Sequence, residues 1–171
     1  MSGHPSAILI EPTALAGFVG ALDGTILWPA DDGYDGAREV LDATVDRRPS
    51  VIVRATSAAD VVRTVDLARE TGLELAVRCG GHSIAGHSST EGGILLDLAG
   101  LDAIEIDAER RVGSAGGGVR AGQFVEAAFA QGMTVPFGDT AAVGIGGLTL
   151  GGGVGWLFRN RGMTIDHLLE V

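Results

Sequence analysis

The sequence predicts an α+β fold in which a strand–helix–strand unit of the βαβ type is followed by a mixed lobe of helices and short strands. The first unit is indicated by a β-branched segment at Val51–Arg54, a helix pattern that ends at Gly72, and a strand pattern at Leu75–Arg78. The second lobe is indicated by the segment Gly138–Gly155, where eight of the chain's 28 glycines lie among small and β-branched residues. Because glycine lets a main chain approach a ligand closely, this density predicts a binding segment.

The composition indicates one domain, or two small lobes that share a core, because the 171 residues are 46% hydrophobic. The net charge of −10 argues against nucleic acid and anionic membranes as partners. All 12 basic residues are arginine, which excludes lysine Schiff-base and P-loop chemistry and indicates a GC-rich bacterial genome. The single cysteine, Cys79, excludes an internal disulfide and a multi-cysteine zinc site.

No targeting or membrane-spanning segment is predicted. The apolar segment Ala7–Ile10 is too short for a signal peptide, and no apolar run approaches the ~18–20 residues that cross a bilayer. We therefore expect a soluble cytoplasmic protein.

Residues 1–46 are predicted to form a leader and helices. The leader covers residues 1–12, Thr13–Leu22 has the spacing of a short helix, and Ala37–Val45 has that of a second helix, which Pro49 separates from the next strand. Residues 47–171 form the second and larger part of the chain.

The clearest helix in the sequence follows Ser57, which forms a capping box with Asp60. Gly72 ends this helix as a C-cap. The apolar stripe of the helix is predicted to consist of Val61, Val62, Val65 and Ala68. The strand that comes next leads into a Gly-Gly-His loop, and a βαβ layout places this loop at the carboxyl end of a strand, where ligands bind in α/β folds.

Three short strands, a helix and the glycine-rich segment make up the second lobe. The strands are predicted as a meander of Gly93–Leu98, Ala103–Ile106 and Arg111–Ala115. The helix is predicted at Ala121–Ala130, with Phe124, Val125, Ala128 and Phe129 spaced for burial.

The segment Gly138–Gly155, called the glycine run below, matches neither common phosphate-binding motif. Thr149 stands where a Rossmann fingerprint has its third glycine, and the run lacks the Gly-Lys pair of a Walker loop. One interpretation is a flexible linker or close helix–strand packing, although Val143 and Ile145 are less polar than linker residues. The other is a concavity of main-chain N–H groups, which binds phosphate oxygens without a basic side chain. We predict that the run and the segment Arg78–Ser88 together bind one large anionic cofactor.

None of the four histidines has convincing metal-ligand spacing, so no metal site is predicted. His82 lies in a loop that leaves a strand, and its position alone does not separate a functional role from a structural one. His87 is interpreted as a loop residue, and His4 and His167 carry no motif. Cys79 is interpreted as a small side chain at a strand end, because no adjacent base would activate it as a nucleophile.

Several ordered motifs resemble those of one protein family. They are the segment Arg78–Gly86, with the letters RCGGHSIAG, the segment Gly93–Leu98, with the letters GILLDL, and the glycine run. They are similar to motifs in the FAD-binding domain of the p-cresol methylhydroxylase/vanillyl-alcohol oxidase superfamily (PCMH type). The nearest branch is that of the berberine-bridge-enzyme-like and hydroxynicotine-oxidase-like flavoproteins, and the resemblance covers residues 48–171.

The resemblance implies an FAD site with main-chain amides on the pyrophosphate. It also implies that His82 bonds through a ring nitrogen to the C8 methyl group of the flavin, a role that suits a neutral imidazole. Some relatives add a thioether from a cysteine at the position of Thr140, so one covalent bond is expected here. The implied cofactor-binding residues are Arg78, Cys79, Gly80, Gly81, His82, Ser83, Gly86, Ser88, Gly138, Thr140, Val143, Gly144, Gly147, Gly152 and Gly153.

The resemblance further implies a flavin-dependent oxidase or dehydrogenase of a small molecule, in which hydride passes from a substrate C–H to flavin N5 and electrons then reach dioxygen. In this family the chain continues into a substrate domain that supplies the catalytic base. We therefore expect a fragment, a split enzyme or a truncated product with no assignable catalytic residue. One alternative is a non-catalytic flavin- or partner-binding module that needs a complementing chain and associates through exposed core surface. Another is a nucleotide-binding α/β protein without flavin.

Overall fold

The computed structural model describes the backbone of residues 12–171 and the side chains from residue 16 onward. Its helices are α1 (Pro12–Ala21), α2 (Tyr34–Arg38), α3 (Ala58–Thr71), α4 (Ala121–Ala130), α5 (Ile145–Leu150) and α6 (Phe158–Arg161), followed by a 3₁₀ helix at Thr164–His167. Its strands are β1 (Thr25–Leu27), β2 (Val51–Arg54), β3 (Leu75–Arg78), β4 (Ile94–Asp97), β5 (Ile104–Asp107) and β6 (Val112–Ala115). Residues 1–11 of the predicted leader, with His4, lie outside the described residues.

A four-stranded sheet with the order β1-β2-β4-β3 forms the first lobe. β4 lies between β2 and β3 and is parallel to both, and β1 adds an antiparallel edge. α3 connects β2 to β3, so the predicted βαβ unit is confirmed. α3 begins at the predicted capping box of Ser57 and Asp60 and ends at Gly72, whose φ of 67° is that of a left-handed C-cap.

Each lobe has a hydrophobic core, and the sheet of the first lobe is buried on both faces. The face that carries α1 and α3 buries Phe18, Val51, Val53, Ala55, Leu67, Ala68, Ile94 and Leu96. The face that carries α2 buries Tyr34, Ala37, Ile52, Ala76 and Leu95. In the second lobe, the rings of Phe124 and Phe137 form an edge-to-face pair with centroids 5.4 Å apart.

One predicted strand pairing and one predicted helix are wrong. Gly93–Leu98 contains the central strand β4 of the parallel sheet, and only β5 and β6 form an antiparallel hairpin. All four residues of β4 are buried, as expected for a parallel strand that is covered on both faces. The helix predicted at Ala37–Val45 ends at Arg38, because Glu39 is extended and the Asp42 carboxylate accepts a hydrogen bond from Thr44 N–H in a turn.

The buried faces of α3 and α4 differ from the predicted apolar stripes. In α3, Val62 is 59% exposed, whereas Thr64 and Leu67 are buried. In α4, Phe129 is 77% exposed, whereas Phe124 is buried. The spacing of apolar residues therefore identifies the helices but not the rotation at which each one docks.

Candidate functional site

The loop Cys79–Ser88, called the His82 loop below, leaves the carboxyl end of β3. Arg78, the last residue of β3, lies in register with Asp97 of β4. The Arg78 guanidinium donates hydrogen bonds to the Asp97 carboxylate at 2.8 Å and to the Glu39 carbonyl at 2.9 Å. A buried ion pair therefore holds the residue at which the loop begins.

Two glycines and one arginine shape the His82 loop. Gly81 and Gly86 have φ angles of 71° and 76°, in the left-handed region that favours glycine. The Arg47 guanidinium donates hydrogen bonds to the carbonyls of Gly86 at 2.8 Å and Ser89 at 2.9 Å. Arg47 therefore holds the far end of the loop, as Arg78 holds its start.

The His82 loop and the glycine run are in direct contact. A β-carbon on Gly80 would collide with the main chain of Gly144, and a β-carbon on Gly144 would collide with Cys79 Sγ. The Cys79 thiol donates a hydrogen bond to the Gly117 carbonyl beside this contact. Gly80 and Gly144 therefore allow close main-chain packing and bring the two predicted segments together.

The glycine run itself contains a short helix, α5, followed by a turn. The carbonyl of Gly153 accepts a hydrogen bond from Thr164 N–H at 2.9 Å, and that of Gly152 accepts one from Ile165 N–H at 3.0 Å. These two predicted site residues therefore pack against the 3₁₀ helix. Gly147, in contrast, has open space where a β-carbon would lie.

Main-chain N–H groups in both segments are available to a ligand. Within residues 16–171, the N–H groups of residues 80–85 and 138–142 donate to no protein acceptor. The half-buried ring of His82 likewise makes no hydrogen bond with the described part of the chain. The Arg78 and Arg47 guanidinium groups already donate to protein oxygens, so the donors left for an anion in these segments are main-chain N–H groups.

Comparison with known families decides what kind of domain this is. The family model described as FAD binding domain matches residues 49–171. This chain belongs to the FAD-binding domain family. It is similar to (R)-6-hydroxynicotine oxidase of Paenarthrobacter nicotinovorans, with 38% identity over 149 residues that cover 87% of this chain and 32% of the relative.

Solved structures show the same fold for the FAD-binding domain. Physcomitrella patens BBE-like 1 superposes with a TM-score of 0.83 and 28% identity, over 89% of this chain and 34% of that one. The glucooligosaccharide oxidase of Acremonium strictum, described with a 6-S-cysteinyl, 8α-N1-histidyl FAD, superposes with a TM-score of 0.83 and 27% identity, over 90% of this chain and 32% of that one. The chain thus spans about a third of the length of these relatives. The α+β fold and the family that the motifs predicted are confirmed.

FAD, the cofactor that the motifs predicted, is the cofactor of this family. The residues present suit an anionic dinucleotide, because two contacting segments offer main-chain N–H donors. Such donors bind phosphate oxygens without requiring lysine, which this chain lacks.

A cavity of about 1070 Å³ lies in the second lobe of the FAD-binding domain. Its lining is largely apolar and includes Phe137 and Ile145 of the second core, with Leu168 from the end of the chain. None of the predicted cofactor-binding residues lines it. The cavity nevertheless borders the glycine run, because Ile145, Gly146, Thr149 and Leu150 of the run form part of its wall.

Residues 12–171 contain neither a cluster of metal ligands nor a membrane-spanning helix. No group of three or more histidine, cysteine, aspartate or glutamate side chains is placed to hold a metal ion there. In the same residues, every helix is too short or too polar to cross a bilayer.

Three residues that support the His82 loop are absent from the predicted site, namely Glu39, Arg47 and Asp97. Asp97 carries a recognisable signal, because it ends a strand as Arg78 does. This position predicts an ion pair with Arg78 only when β4 is known to lie between β2 and β3, because that order aligns Arg54, Asp97 and Arg78 in register. Glu39 and Arg47 lie in irregular segments, and no local pattern marks them.

Proposed function

We propose that this chain is the FAD-binding part of a flavin-dependent oxidoreductase, with residues 47–171 as the FAD-binding domain. The preceding residues pack on this domain through β1, which pairs with β2. The observation that supports the proposal is the contact between two segments in which the N–H groups of residues 80–85 and 138–142 have no acceptor among the described residues. We place the FAD pyrophosphate on these groups, because a concave arrangement of N–H dipoles binds phosphate oxygens.

The proposed contacts with FAD follow the same two segments. In the first they are Arg78, Cys79, Gly80, Gly81, His82, Ser83, Gly86 and Ser88. In the second they are Gly138, Thr140, Val143, Gly144, Gly147, Gly152 and Gly153. Arg78 and Gly144 act mainly by shaping the segments, because their atoms already contact protein groups.

His82 is the proposed attachment point of the flavin. Its ring is half-buried and makes no hydrogen bond within residues 16–171, which leaves both ring nitrogens available. The related glucooligosaccharide oxidase is described with a histidyl and a cysteinyl link. Thr140 cannot form a thioether, and the Cys79 thiol donates to the Gly117 carbonyl. We therefore propose a single link, from a His82 ring nitrogen to the flavin C8 methyl carbon. Its formation would break one C–H bond of the methyl group and the N–H bond of the imidazole, and the two electrons would pass to the flavin ring and then to dioxygen.

The proposed activity of the whole protein is oxidation of a small organic substrate. FAD, when bound, supplies the hydride acceptor for a C–H bond beside a hydroxyl or amine, and dioxygen reoxidises it. The residues of this chain bind and orient the cofactor, and none of them is assigned as the catalytic base. A cytoplasmic location and a bacterial source stay predictions of the sequence.

The test is an absorption spectrum of the purified chain, before and after acid precipitation, together with an intact mass. We expect a flavin spectrum that stays with the precipitate and an added mass of one FAD. His82→Ala should release the flavin into the supernatant. His87→Ala is the matched control, because His87 lies in the same loop with an exposed side chain and should keep the flavin attached.

The other outcomes separate the parts of the proposal. If the wild-type chain releases its flavin on acid treatment, the proposed FAD binding stands but the covalent link to His82 is excluded. The chain could instead stay colourless alone and take up FAD only when it is mixed with a second chain that carries the remaining domains of a relative. That result would favour the alternative of a binding module that needs a complementing chain. A chain that binds no FAD under either condition would contradict the proposed function.

A further inference from the structure

We propose that Asp97 is a positioning residue that acts through Arg78 on the His82 loop, an inference that rests on the proposed role of His82. Asp97 is 1% exposed and lies in the central strand β4. It has no part in the proposed contacts with FAD. A carboxylate buried to this extent is stable as a charged group only with a counter-ion and hydrogen-bond donors nearby.

Two arginines approach the same carboxylate oxygen of Asp97, and they differ in burial. Arg78 Nη2 lies 2.8 Å from Oδ2, and the Arg78 side chain is 11% exposed. Arg54 Nε lies 3.3 Å from the same atom, and the Arg54 side chain is 45% exposed. The Asp97 Oδ1 atom accepts a hydrogen bond from Ala99 N–H at 3.1 Å, which fixes the carboxylate orientation. The charge of Asp97 is therefore balanced mainly by Arg78.

Arg78 couples Asp97 to the loop because only residues 79–81 separate it from His82. Its second hydrogen bond, to the Glu39 carbonyl, joins the base of the loop to the segment that follows α2. Without the Asp97 carboxylate, the Arg78 guanidinium would remain largely buried without its closest counter-ion. Its movement toward solvent would shift the start of the loop and with it His82.

The single cysteine of the chain, Cys79, reports the state of this loop without any flavin. Its thiol donates to the Gly117 carbonyl and packs against Gly144, so loop opening promotes reaction with an aromatic disulfide reagent. In the FAD-free full chain, we expect Asp97→Asn to raise the labelling rate of Cys79 about tenfold. Arg54→Gln is the matched control and should change that rate by less than about twofold, because the exposed Arg54 does not lead into the loop.

Arg78→Gln tests whether Asp97 acts on the loop through Arg78. It also tests the inference if Asp97→Asn does not fold. Arg78→Gln should raise the labelling rate of Cys79 as Asp97→Asn does. Because both substitutions break the same ion pair, the double variant Asp97→Asn/Arg78→Gln should be labelled no faster than the faster of the two single variants. A wild-type rate in folded Asp97→Asn would overturn the inference. So would equal acceleration by Arg54→Gln and Arg78→Gln.

Asp60→Asn separates this effect from a general loss of stability, because Asp60 is another buried carboxylate of the first lobe. It should leave the labelling rate within about twofold of wild type.

A flavin measurement then tests the consequence for His82. After incubation with FAD, the acid-stable flavin should fall severalfold in Asp97→Asn and stay at the wild-type level in Arg54→Gln. Unchanged attachment in an Asp97→Asn chain with a loosened loop would overturn the positioning role. A wild-type chain that takes up no FAD would instead contradict the proposed function, and the labelling rates alone would then decide whether Asp97 holds the loop.

Discussion

At the scale of single residues, the contact between the His82 loop and the glycine run depends on glycines, which have no β-carbon. Gly80 and Gly144 approach so closely that neither tolerates a β-carbon in place. Gly147, three residues further on, has no heavy atom within 4 Å of the position where a β-carbon would lie. Glycines of the same run therefore differ in whether the surrounding structure leaves room for a β-carbon.

Gly144→Ala is expected to destabilise the fold by about 2 kcal/mol, because the new methyl group must displace the main chain of Gly80 or the side chain of Cys79. Gly147→Ala is the matched control within the same run and should be neutral or stabilising by up to about 1 kcal/mol, because Gly147 lies inside helix α5. Urea unfolding of both variants measures the difference. Equal stability of the two would contradict the contact described between the segments.

Asp60 is a second residue whose local contacts have a measurable consequence. Its carboxylate accepts hydrogen bonds from the N–H groups of Asp23 at 2.9 Å, Thr56 at 3.0 Å and Ser57 at 3.2 Å. Burial alone would raise the pKa of Asp60, but the N–H donors of Thr56, Asp23 and Ser57 outweigh burial and lower this pKa below the ordinary 3.8.

Asp60→Asn is expected to lower the free energy of unfolding at pH 7 by about 3 kcal/mol, because an amide leaves buried N–H groups without their charged acceptor. A carboxyl with a lowered folded-state pKa contributes stability that is complete above about pH 4 and is lost as the pH falls through that lowered value. The difference between wild type and variant should therefore shrink below about pH 4. Urea titrations from pH 7 to 3 test this, with the exposed Asp66→Asn as control; a pH-independent difference would contradict the account.

At the scale of elements, docking decides which face of a helix is buried. α4 carries Phe124 and Phe129, and both fit a helical apolar stripe in the sequence. Only Phe124 enters the core, where its ring meets that of Phe137 at 71° between the ring planes. α3 shows the same effect, because Thr64 is buried while Val62 is exposed.

Phe124→Ala is expected to cost about 3–5 kcal/mol of stability, because it removes an aromatic ring from the second core and leaves a cavity. Phe129→Ala, in the same helix, should change stability by less than about 0.5 kcal/mol, since its ring is mostly in solvent. Thermal or urea unfolding of the isolated chain compares the two. A large loss in Phe129→Ala would show that this ring has a partner in solution.

At the scale of the whole molecule, the proposed FAD site draws on both lobes. The His82 loop leaves the parallel sheet of the first lobe, and the glycine run belongs to the second. A ligand that contacts both segments binds only the folded chain and therefore stabilises it by mass action.

Added FAD is expected to raise the melting temperature of the apo chain, by an amount equivalent to about 2.7 kcal/mol at a concentration one hundred times the dissociation constant. His82→Ala should show a similar shift, because the main-chain donors remain when the covalent link is removed. Thermal melts at several FAD concentrations measure both proteins. A shift in wild type that is absent in His82→Ala would mean that binding depends on the link itself.

The amino-acid sequence was sufficient to predict the class of fold, the family and the cofactor. It also determined the local features that carry their own signals, namely the Ser57 capping box, the Gly72 C-cap and the glycine-rich segments. These features were predictable because they depend on neighbours within a few residues or on motifs at fixed spacing.

Three features could be established only from the packing of the folded chain: the pairing of β4, the buried faces of α3 and α4, and the contacts that hold the His82 loop. Each of these depends on residues that are distant in sequence, such as Arg78 with Asp97 and Arg47 with Gly86. Apolar spacing identifies a helix or strand, but the free energy of burial acts on whichever face its partners cover. The buried ion pair of Asp97 follows from strand order, which local patterns do not encode.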